Sequence, residues 1–449
     1  MPTLEVASDT KIHHKDKKTD ALNHLDTIIP GNNLLRIFKK RADKQSEYPD
    51  KDLRAVITQV LEKNPESAFC FLNENRLSQR AMQLQQLFLP DYAESYVTYA
   101  VKANPFHRIL EILLASGITY FDCASVGEIG DVIRAAYKIR GETRGRVGIL
   151  FNHPIKKRSD IHEAASGKVK HFTVQSLIET EKVLVETSNL KKIEIAVRLE
   201  TLNKKAAINL SSKFGASLEE AERIFEFLKQ VPKASRCISI NLGSQTSDPE
   251  AYSKGIKLVA EFLKKHGPFA TINLGGGFPV NYHPDENHKL DEFFGVINRD
   301  VYRYLGEALE NKTKIFIEPG RSMIAEAVDL VIPVLAREKL GENECLYLDD
   351  GIFTSFSDSV IHSWKYHFRF LKADGEEAVG DLKSCLVFGR TCDSGDKLGM
   401  IDIPADIVEG DFVWVPKAGA YLDSQATRFN GFEPPQYISY NPTPQNLIH

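Results

Sequence analysis

The chain has 449 residues, of which 57 are Lys or Arg and 61 are Asp or Glu, so its net charge at neutral pH is −4. Hydrophobic residues make up 42% and charged residues 26%, which is typical of a folded globular protein and excludes a mainly disordered or collagen-like chain. Because so small a net charge gives no broad cationic surface, we expect neither nucleic acid nor a membrane as a partner.

The first fifty residues are polar and weakly periodic, and we expect a polar N-terminal extension over 1–50. Short helices are predicted over 34–41 and 53–61. The opening segment lacks the apolar core of a signal peptide, and no apolar run approaches the ~18 residues of a spanning helix. Six scattered cysteines without zinc-type spacing indicate reduced thiols, a cytoplasmic location and no metal site.

Between residues 95 and 320, short β-rich runs alternate with longer amphipathic runs. The predicted strands are 96–101, 118–121, 147–151, 171–174, 193–199, 237–242, 270–274 and 314–317. Helical spacing is clear over 218–228 and 252–263. About eight such units predict an α/β fold, a (β/α)8 TIM-type barrel over 79–327. The alternative is an open doubly wound sheet, which usually has fewer strands.

After the barrel the pattern changes to a mostly β C-terminal domain over 328–449. Its predicted strands are 330–335, 345–348, 382–388, 412–415 and 437–440, with few long helical stretches between them. The segment 51–78 is predicted to pack on this domain, with 68–72 as an extra strand.

Polar, glycine-rich or ionisable residues follow nearly every predicted barrel strand. In this fold the carboxyl ends of the strands form one rim, where the chemistry is found. Lys102 ends the strand in TYAVKANP, and partial burial would make its amine a nucleophile, although an exposed lysine is the simpler interpretation when it is taken alone. The other residues at this rim are Asp122, Asn152, His153, Arg198, Asn241, Ser244, Gly275, Gly276, Gly277, Glu318, Pro319, Gly320 and Arg321.

Two groups of residues at this rim could each bind a ligand. The glycine run 275–277 exposes backbone N–H groups to a phosphate, and Arg321 and Ser244 can complete such a site. Glu318 can pair with a protonated ring nitrogen, with a local pair to Arg321 as the alternative.

The sequence GRTCDSGD places a thiol beside a carboxylate in a loop of the β domain. Cys392 can protonate a carbanion, and Asp393 can bind an amine. The alternative is an ordinary reduced cysteine in a turn.

Taken together, these segments resemble the ornithine/diaminopimelate/arginine decarboxylase family, which has pyridoxal phosphate bound to an alanine-racemase-like barrel of fold type III. They follow the family order, span about residues 68–432, and are most similar to the ornithine decarboxylase branch. The matching strings are YAVKANP (99–105), FDCASVGEI (121–129), SKFGAS (212–217), LGGGFP (274–279), EPGRS (318–322), TCDSGD (391–396), GAY (419–421) and FNGF (429–432).

The resemblance implies roles for these residues. Lys102 would hold pyridoxal phosphate as a Schiff base, and Glu318 would pair with the pyridine nitrogen. Cys392 would be the proton donor and Asp393 a substrate contact, both reaching the active site of the other subunit in a head-to-tail homodimer with shared sites. The remaining cofactor-binding residues would be Asp122, Asn241, Ser244, Gly275, Gly276, Gly277, Pro319, Gly320, Arg321 and Tyr421.

Three positions depart from the ornithine branch. Asn241 stands where a histidine stacks on the cofactor ring, and Asn209 stands where an arginine is usual. The ornithine branch usually carries an aspartate that binds the distal amine of the substrate, and this chain has His362 there, preceded by Ile361. Both residues are predicted to contact the substrate. Asp358, one turn earlier, remains able to bind an amine.

The expected activity is decarboxylation of a basic diamino acid, such as ornithine or lysine, to an amine. The alternatives are a decarboxylase of a modified, D-configured or acidic amino acid, a racemase, or a non-catalytic protein like the antizyme inhibitors.

Overall fold

A computed structural model describes residues 51–62, 66–140, 147–201, 206–208, 213–358 and 366–441. The helix predicted over 34–41 lies outside these residues. The strands are β1 (Phe69–Asn73), β2 (Ser95–Ala100), β3 (Tyr120–Cys123), β4 (Gly148–Phe151), β5 (His171–Val174), β6 (Ile193–Arg198), β7 (Ala206–Ile208), β8 (Ala234–Ser239), β9 (Ser244–Thr246), β10 (Thr271–Asn273), β11 (Lys314–Ile317), β12 (Val328–Leu340), β13 (Asn343–Leu348), β14 (Arg369–Leu371), β15 (Leu382–Phe388), β16 (Lys397–Pro404), β17 (Phe412–Val415) and β18 (Gln436–Tyr440).

The helices mostly follow the barrel strands. They are α1 (Lys51–Leu61), α2 (Glu74–Leu87), α3 (His107–Ala115), α4 (Val126–Arg140), α5 (Arg158–Ser166), α6 (Leu177–Glu186), α7 (Leu218–Leu228), α8 (Glu250–His266), α9 (Leu290–Tyr304), α10 (Gly306–Glu310) and α11 (Arg321–Ile324). Among the described helices, none is both long and apolar enough to cross a lipid bilayer.

Eight parallel strands close into a barrel in the order β10, β11, β2, β3, β4, β5, β6, β8. This closure confirms the predicted TIM-type barrel and excludes the open doubly wound sheet. The bounds of β5, β11 and α7 match the prediction. Strand β8 begins and ends three residues earlier than predicted, and the chain turns further on at Gly243 (φ +91°), where an added Cβ would lie 2.3 Å from the Ile208 carbonyl oxygen.

The helix α7 shows how the sequence sets an element. The Ser217 hydroxyl accepts a hydrogen bond from the Glu220 N–H at 3.2 Å and so caps the first turn. Buried Ala221, Ile224 and Leu228 then recur at helical spacing and pack on the barrel.

Aromatic rings fill the amino-terminal half of the barrel. The Tyr120 ring centroid lies 4.7 Å from that of Tyr96 and 4.8 Å from that of Phe316. A Cβ at Gly148 would lie 2.1 Å from the Tyr120 ring, so glycine leaves the space that this ring occupies. These rings therefore pack together at the amino-terminal end of β2, β3 and β11, on the side of the barrel opposite β5 and β6.

The second sheet belongs to the mostly β domain that the sequence predicted. Its main path is β14, β17, β12, β13, β15, β16, and β1 pairs antiparallel with β12 and parallel with β18. Strands β14 and β16 are additions to the prediction. The exact domain bounds stay a prediction.

Candidate active site

Lys102 lies directly after β2, in a short 3-10 helix whose neighbours Val101 and Ala103 are buried. Its side chain is 46% exposed toward the barrel mouth, and its Nζ lies 3.1 Å from Oδ2 of the buried Asp122. The Asp122 carboxylate is the main cause that raises the pKa of the Lys102 amine. In this state the lysine is therefore an ammonium group, oriented by the strand beside it.

Glu318 follows β11 and is buried at the centre of the mouth. Its Oε1 accepts hydrogen bonds from the side-chain amides of Asn152 and Asn273. Burial, followed by repulsion from the Asp122 carboxylate, raises the pKa of Glu318 to about 7. The carboxyl group therefore needs a positive partner if it is to be fully ionised near neutral pH.

A tight glycine turn lies next to Glu318. Asn273 donates to Glu318 and also accepts from the Gly275 N–H at 2.9 Å, so one side chain joins the carboxylate to the turn. Gly275 and Gly277 have φ of +73° and +106°, a region that favours glycine. A Cβ at Gly276 would lie 2.4 Å from the Glu318 carbonyl oxygen. The sequence therefore needs glycine here for the close backbone approach.

Arg321 is the first residue of α11, three residues after Glu318, and its guanidinium is buried. It donates to the Tyr282 hydroxyl at 2.9 Å and to Asp358 Oδ2 at 3.0 Å. The expected alternative, a local pair with Glu318, is therefore replaced by a pair with Asp358. Asp358 is itself buried, so the expectation that it stays available for a substrate amine does not fit this structure.

Tyr421 brings the β domain to the barrel mouth. Its N–H donates to the Ala103 carbonyl at 2.7 Å, and its ring centroid lies 4.6 Å from the Arg321 guanidinium carbon. Its φ is +66°, which is costly for a tyrosine and is maintained by these contacts. A Cβ at Gly320 would lie 3.1 Å from the Ala103 Cβ, so this end of β11 packs directly on the residue after Lys102.

Asn241 lies on the loop after β8, and Ser244 is the first residue of β9. The Asn241 side-chain oxygen accepts from the Gly243 N–H at 3.0 Å, so this amide braces its own loop. Ser244, half-buried, is opposite Ile208 in the two-stranded β7–β9 ladder. Both residues stay predicted cofactor contacts.

The structure does not bring the Cys392 loop to this rim within one chain. The Cys392 thiol is exposed, and its backbone N–H donates to the Asn430 side chain at 3.0 Å. Asp393 accepts from the Gly395 N–H at 2.7 Å. No hydrogen bond or ion pair in the described part of the chain joins either residue to Lys102 or Glu318.

The remaining residues fall into two groups: predicted ones outside the described residues, and contacts that the sequence did not predict. Ile361, His362 and Asn209 lie outside the described residues. Asn273, Thr173 and Tyr282 are contacts within the site that the sequence did not predict. Thr173 donates to the Asn152 side-chain oxygen at 2.7 Å and so orients the amide that binds Glu318. For Thr173 and Asn273, the available signal was a polar residue that alternates with a buried apolar one on a short strand.

Comparison with known proteins gives the family. The family model described as "Pyridoxal-dependent decarboxylase, pyridoxal binding domain" matches residues 75–325. The lysine/ornithine decarboxylase of Selenomonas ruminantium is 31% identical over 75% of this chain and 81% of its own length. Antizyme inhibitor 2 of Xenopus laevis is 30% identical over 75% of this chain and 73% of its own length.

The fold comparison agrees with the family model. The solved lysine/ornithine decarboxylase of Vibrio vulnificus, complexed with cadaverine, has a TM-score of 0.74 at 29% identity and covers 87% of this chain and 99% of its own. The matched family model spans the barrel that carries Lys102 and Glu318. This chain belongs to the pyridoxal-dependent decarboxylase family, in its ornithine decarboxylase branch, and is an amino-acid decarboxylase whose cofactor is pyridoxal phosphate.

Proposed function

We propose that this chain decarboxylates a basic diamino acid, such as ornithine or lysine, to the corresponding amine, with Lys102 as the covalent attachment point of the cofactor. The observation that carries the proposal is that an amine, a buried carboxyl group and a buried guanidinium meet at one barrel rim. The relatives named as lysine/ornithine decarboxylases support the choice of substrate class.

The charges at the rim fit pyridoxal phosphate group by group. Lys102 offers an amine to the aldehyde, and Arg321 offers a buried cation to the phosphate. Glu318, whose pKa burial raises to about 7, lacks the positive partner that a protonated ring nitrogen supplies. Ser244, Gly277, Gly320 and Tyr421 are the further groups proposed to hold the phosphate.

When bound, pyridoxal phosphate supplies the electron sink for cleavage of the carbon–carbon bond. The protein supplies orientation and protons. Both amide hydrogen bonds to Glu318 described above fall on Oε1, which leaves Oε2 to pair with the ring nitrogen. Asp122 holds the proton on the Lys102 Nζ, so this proton must move away before the amine can react.

We propose that Cys392 and Asp393 act in the barrel of a second copy, in a head-to-tail homodimer. The exposed thiol lines a cavity of about 320 Å³ in the β domain. None of the residues that line this cavity belongs to the barrel mouth of the same chain. Cys392 would give its proton to the carbon that has lost the carboxylate, and Asp393 would bind the substrate's distal amine.

A second candidate is a modified, D-configured or acidic substrate. The sequence at Ile361 and His362 favours it, because the carboxylate expected to read a distal amine is replaced there. A histidine can instead bind a polar or acidic distal group.

We also propose a cytoplasmic location. All six cysteines lie in the described residues and are free, as expected in a reducing compartment.

The experiment that tests the function is a carbon dioxide release screen, with product mass, over L- and D-ornithine, lysine, arginine, diaminopimelate and glutamate-like acids. We expect release from L-ornithine or L-lysine, and Lys102→Ala should release none. Release only from an acidic or D-configured acid would favour the second candidate. If no acid is decarboxylated and the chain binds no cofactor, the proposal is wrong and an antizyme-inhibitor-like role is favoured.

A further inference from the structure

We propose that the amino-terminal half of the barrel holds a binding site for a divalent transition metal, best matched by zinc, formed by His171, Glu194 and Cys237. These residues lie on β5, β6 and β8, and one potential ligand atom from each lies within 4.8 Å of the others. The site is separate from the proposed cofactor site and does not depend on it.

The strand register explains why three residues distant in sequence converge. His171 is opposite Glu194 between β5 and β6, and Cys237 is opposite Ala196 on β6 and Thr271 on β10. Register partners point to the same side of a sheet, as do alternate residues of one strand. Thr271 shares its side with Asn273, which binds Glu318 inside the barrel, so the three ligand side chains point into the barrel interior.

The site lies well below the mouth. Glu194 precedes Arg198 by four residues on β6, which is about 13 Å along an extended strand. Arg198 is near enough to Glu318 for the two charges to interact at the mouth. A metal bound at Glu194 would therefore act on the barrel wall rather than on the reacting groups.

The existing contacts leave donor atoms for an ion. The His171 Nδ1 lies 3.0 Å from Glu194 Oε2, while the His171 Nε2 is buried and has no hydrogen-bond partner among the described residues. The Cys237 Sγ makes a weak contact with the Ser235 carbonyl at 3.8 Å. Because a buried polar atom without a partner is unfavourable, a ligand at His171 would stabilise the fold.

The donor types select the metal class. An imidazole nitrogen, a carboxylate oxygen and a thiolate sulfur are zinc ligands, and three protein ligands leave a fourth position for water. Magnesium and calcium prefer oxygen donors, so this set disfavours them. On binding, the Cys237 S–H bond breaks, the sulfur–metal bond forms, and the proton leaves to solvent. The Glu194 side chain is 29% exposed, which gives the ion an entry route.

The charge of the site is balanced with a dication present. Lys314 on β11 is the neighbouring cation that acts on both Glu194 and Cys237. One carboxylate and one thiolate neutralise the two charges of the metal. Lys314 then keeps its attraction to Glu94 and its contact with the Tyr120 ring, whose centroid lies 5.9 Å from the Lys314 Nζ.

The test is zinc content per chain, measured by mass spectrometry on cofactor-loaded protein purified without chelators and then equilibrated with zinc. We expect about one zinc per chain. Cobalt substitution should give the near-ultraviolet charge-transfer band of a cobalt thiolate. Cys237→Ser and His171→Phe should reduce both signals to background while the cofactor absorbance remains.

Cys345→Ser is the matched control. Cys345 is also buried and also contacts a carbonyl two residues earlier, at 3.8 Å, so its replacement should leave the zinc content unchanged. A wild type that holds no zinc, or zinc that is lost in Cys392→Ser but retained in Cys237→Ser, would overturn the proposal. Should Cys237→Ser not fold, Glu194→Gln must lower zinc affinity at least about tenfold, and an unchanged affinity would overturn it equally.

Discussion

The barrel mouth and the Cys392 loop differ in how completely one chain builds them. At the mouth, Glu318 is held by two amides and Lys102 by Asp122, so each side chain is oriented by residues of other strands. In the loop, buried Asp396 accepts from the Ile352 N–H at 2.9 Å and orders the turn, yet the Cys392 thiol points to solvent. The contrast fits the proposal that the mouth is preorganised for the cofactor, whereas Cys392 would act in a second chain.

The largest effect expected is the loss of Lys102. Without its amine the mouth retains its carboxylate and glycine turn but cannot attach the cofactor, so Lys102→Ala should lower kcat/KM by roughly 10⁴-fold or more. Carbon dioxide release measures this. Lys254→Ala, which removes an exposed lysine from α8, is the control and should leave activity unchanged.

The next largest effect tests the Cys392 loop separately from the barrel mouth. Cys392→Ala should lower kcat by about 10²- to 10⁴-fold, the usual contribution of a positioned proton donor, with cofactor binding unchanged. Mixing it with Lys102→Ala should restore about a quarter of wild-type activity, because random exchange gives half heterodimers, each with one intact shared site. No recovery in heterodimers shown to have formed would contradict the shared-site arrangement.

A smaller effect tests how the mouth is held together. Asn273→Ala removes a hydrogen bond to Glu318 and another from Gly275, so it should weaken cofactor affinity by about 10- to 100-fold, as the loss of supporting contacts does in metal sites. Asn152→Ala removes the bond to Glu318 and the one from Thr173 but leaves the glycine turn intact, so it should weaken cofactor affinity less. Spectroscopic titration with pyridoxal phosphate compares the two, and equal losses would show that the link to the glycine turn has no effect.

The smallest effect is on stability. Because the folded state raises the pKa of Glu318 to about 7, its ionisation favours unfolding, and the cofactor-free protein should lose stability as pH rises from about 4.5 to 7. Glu318→Gln should lose less over that range in urea unfolding. Glu128, with a pKa also raised to about 7, is present in both proteins and largely cancels in the difference. If the stability of the two proteins changed equally with pH, a buried Glu318 that ionises in this range would be contradicted.

The barrel and much of its rim could be predicted because both follow from local patterns. Alternating strand and helix periods predict the fold, and the rule that chemistry gathers at strand ends selects Lys102, Asp122 and Glu318 together. The Asp358 pair with Arg321 could not be predicted, since the two residues come from different elements and meet only through packing.

The three residues at the barrel interior illustrate the same limit more strongly. His171, Glu194 and Cys237 have no metal-type spacing, so the sequence predicted no metal site. Strand register alone brings them together, and register depends on the closure of the whole barrel.

The most direct test of the account is to reduce the cofactor-loaded protein with borohydride and map the modified peptide by mass spectrometry. The account predicts a single pyridoxyl adduct on Lys102 and none in Lys102→Ala. An adduct on another lysine, or a wild type that takes up no pyridoxal phosphate, would contradict it.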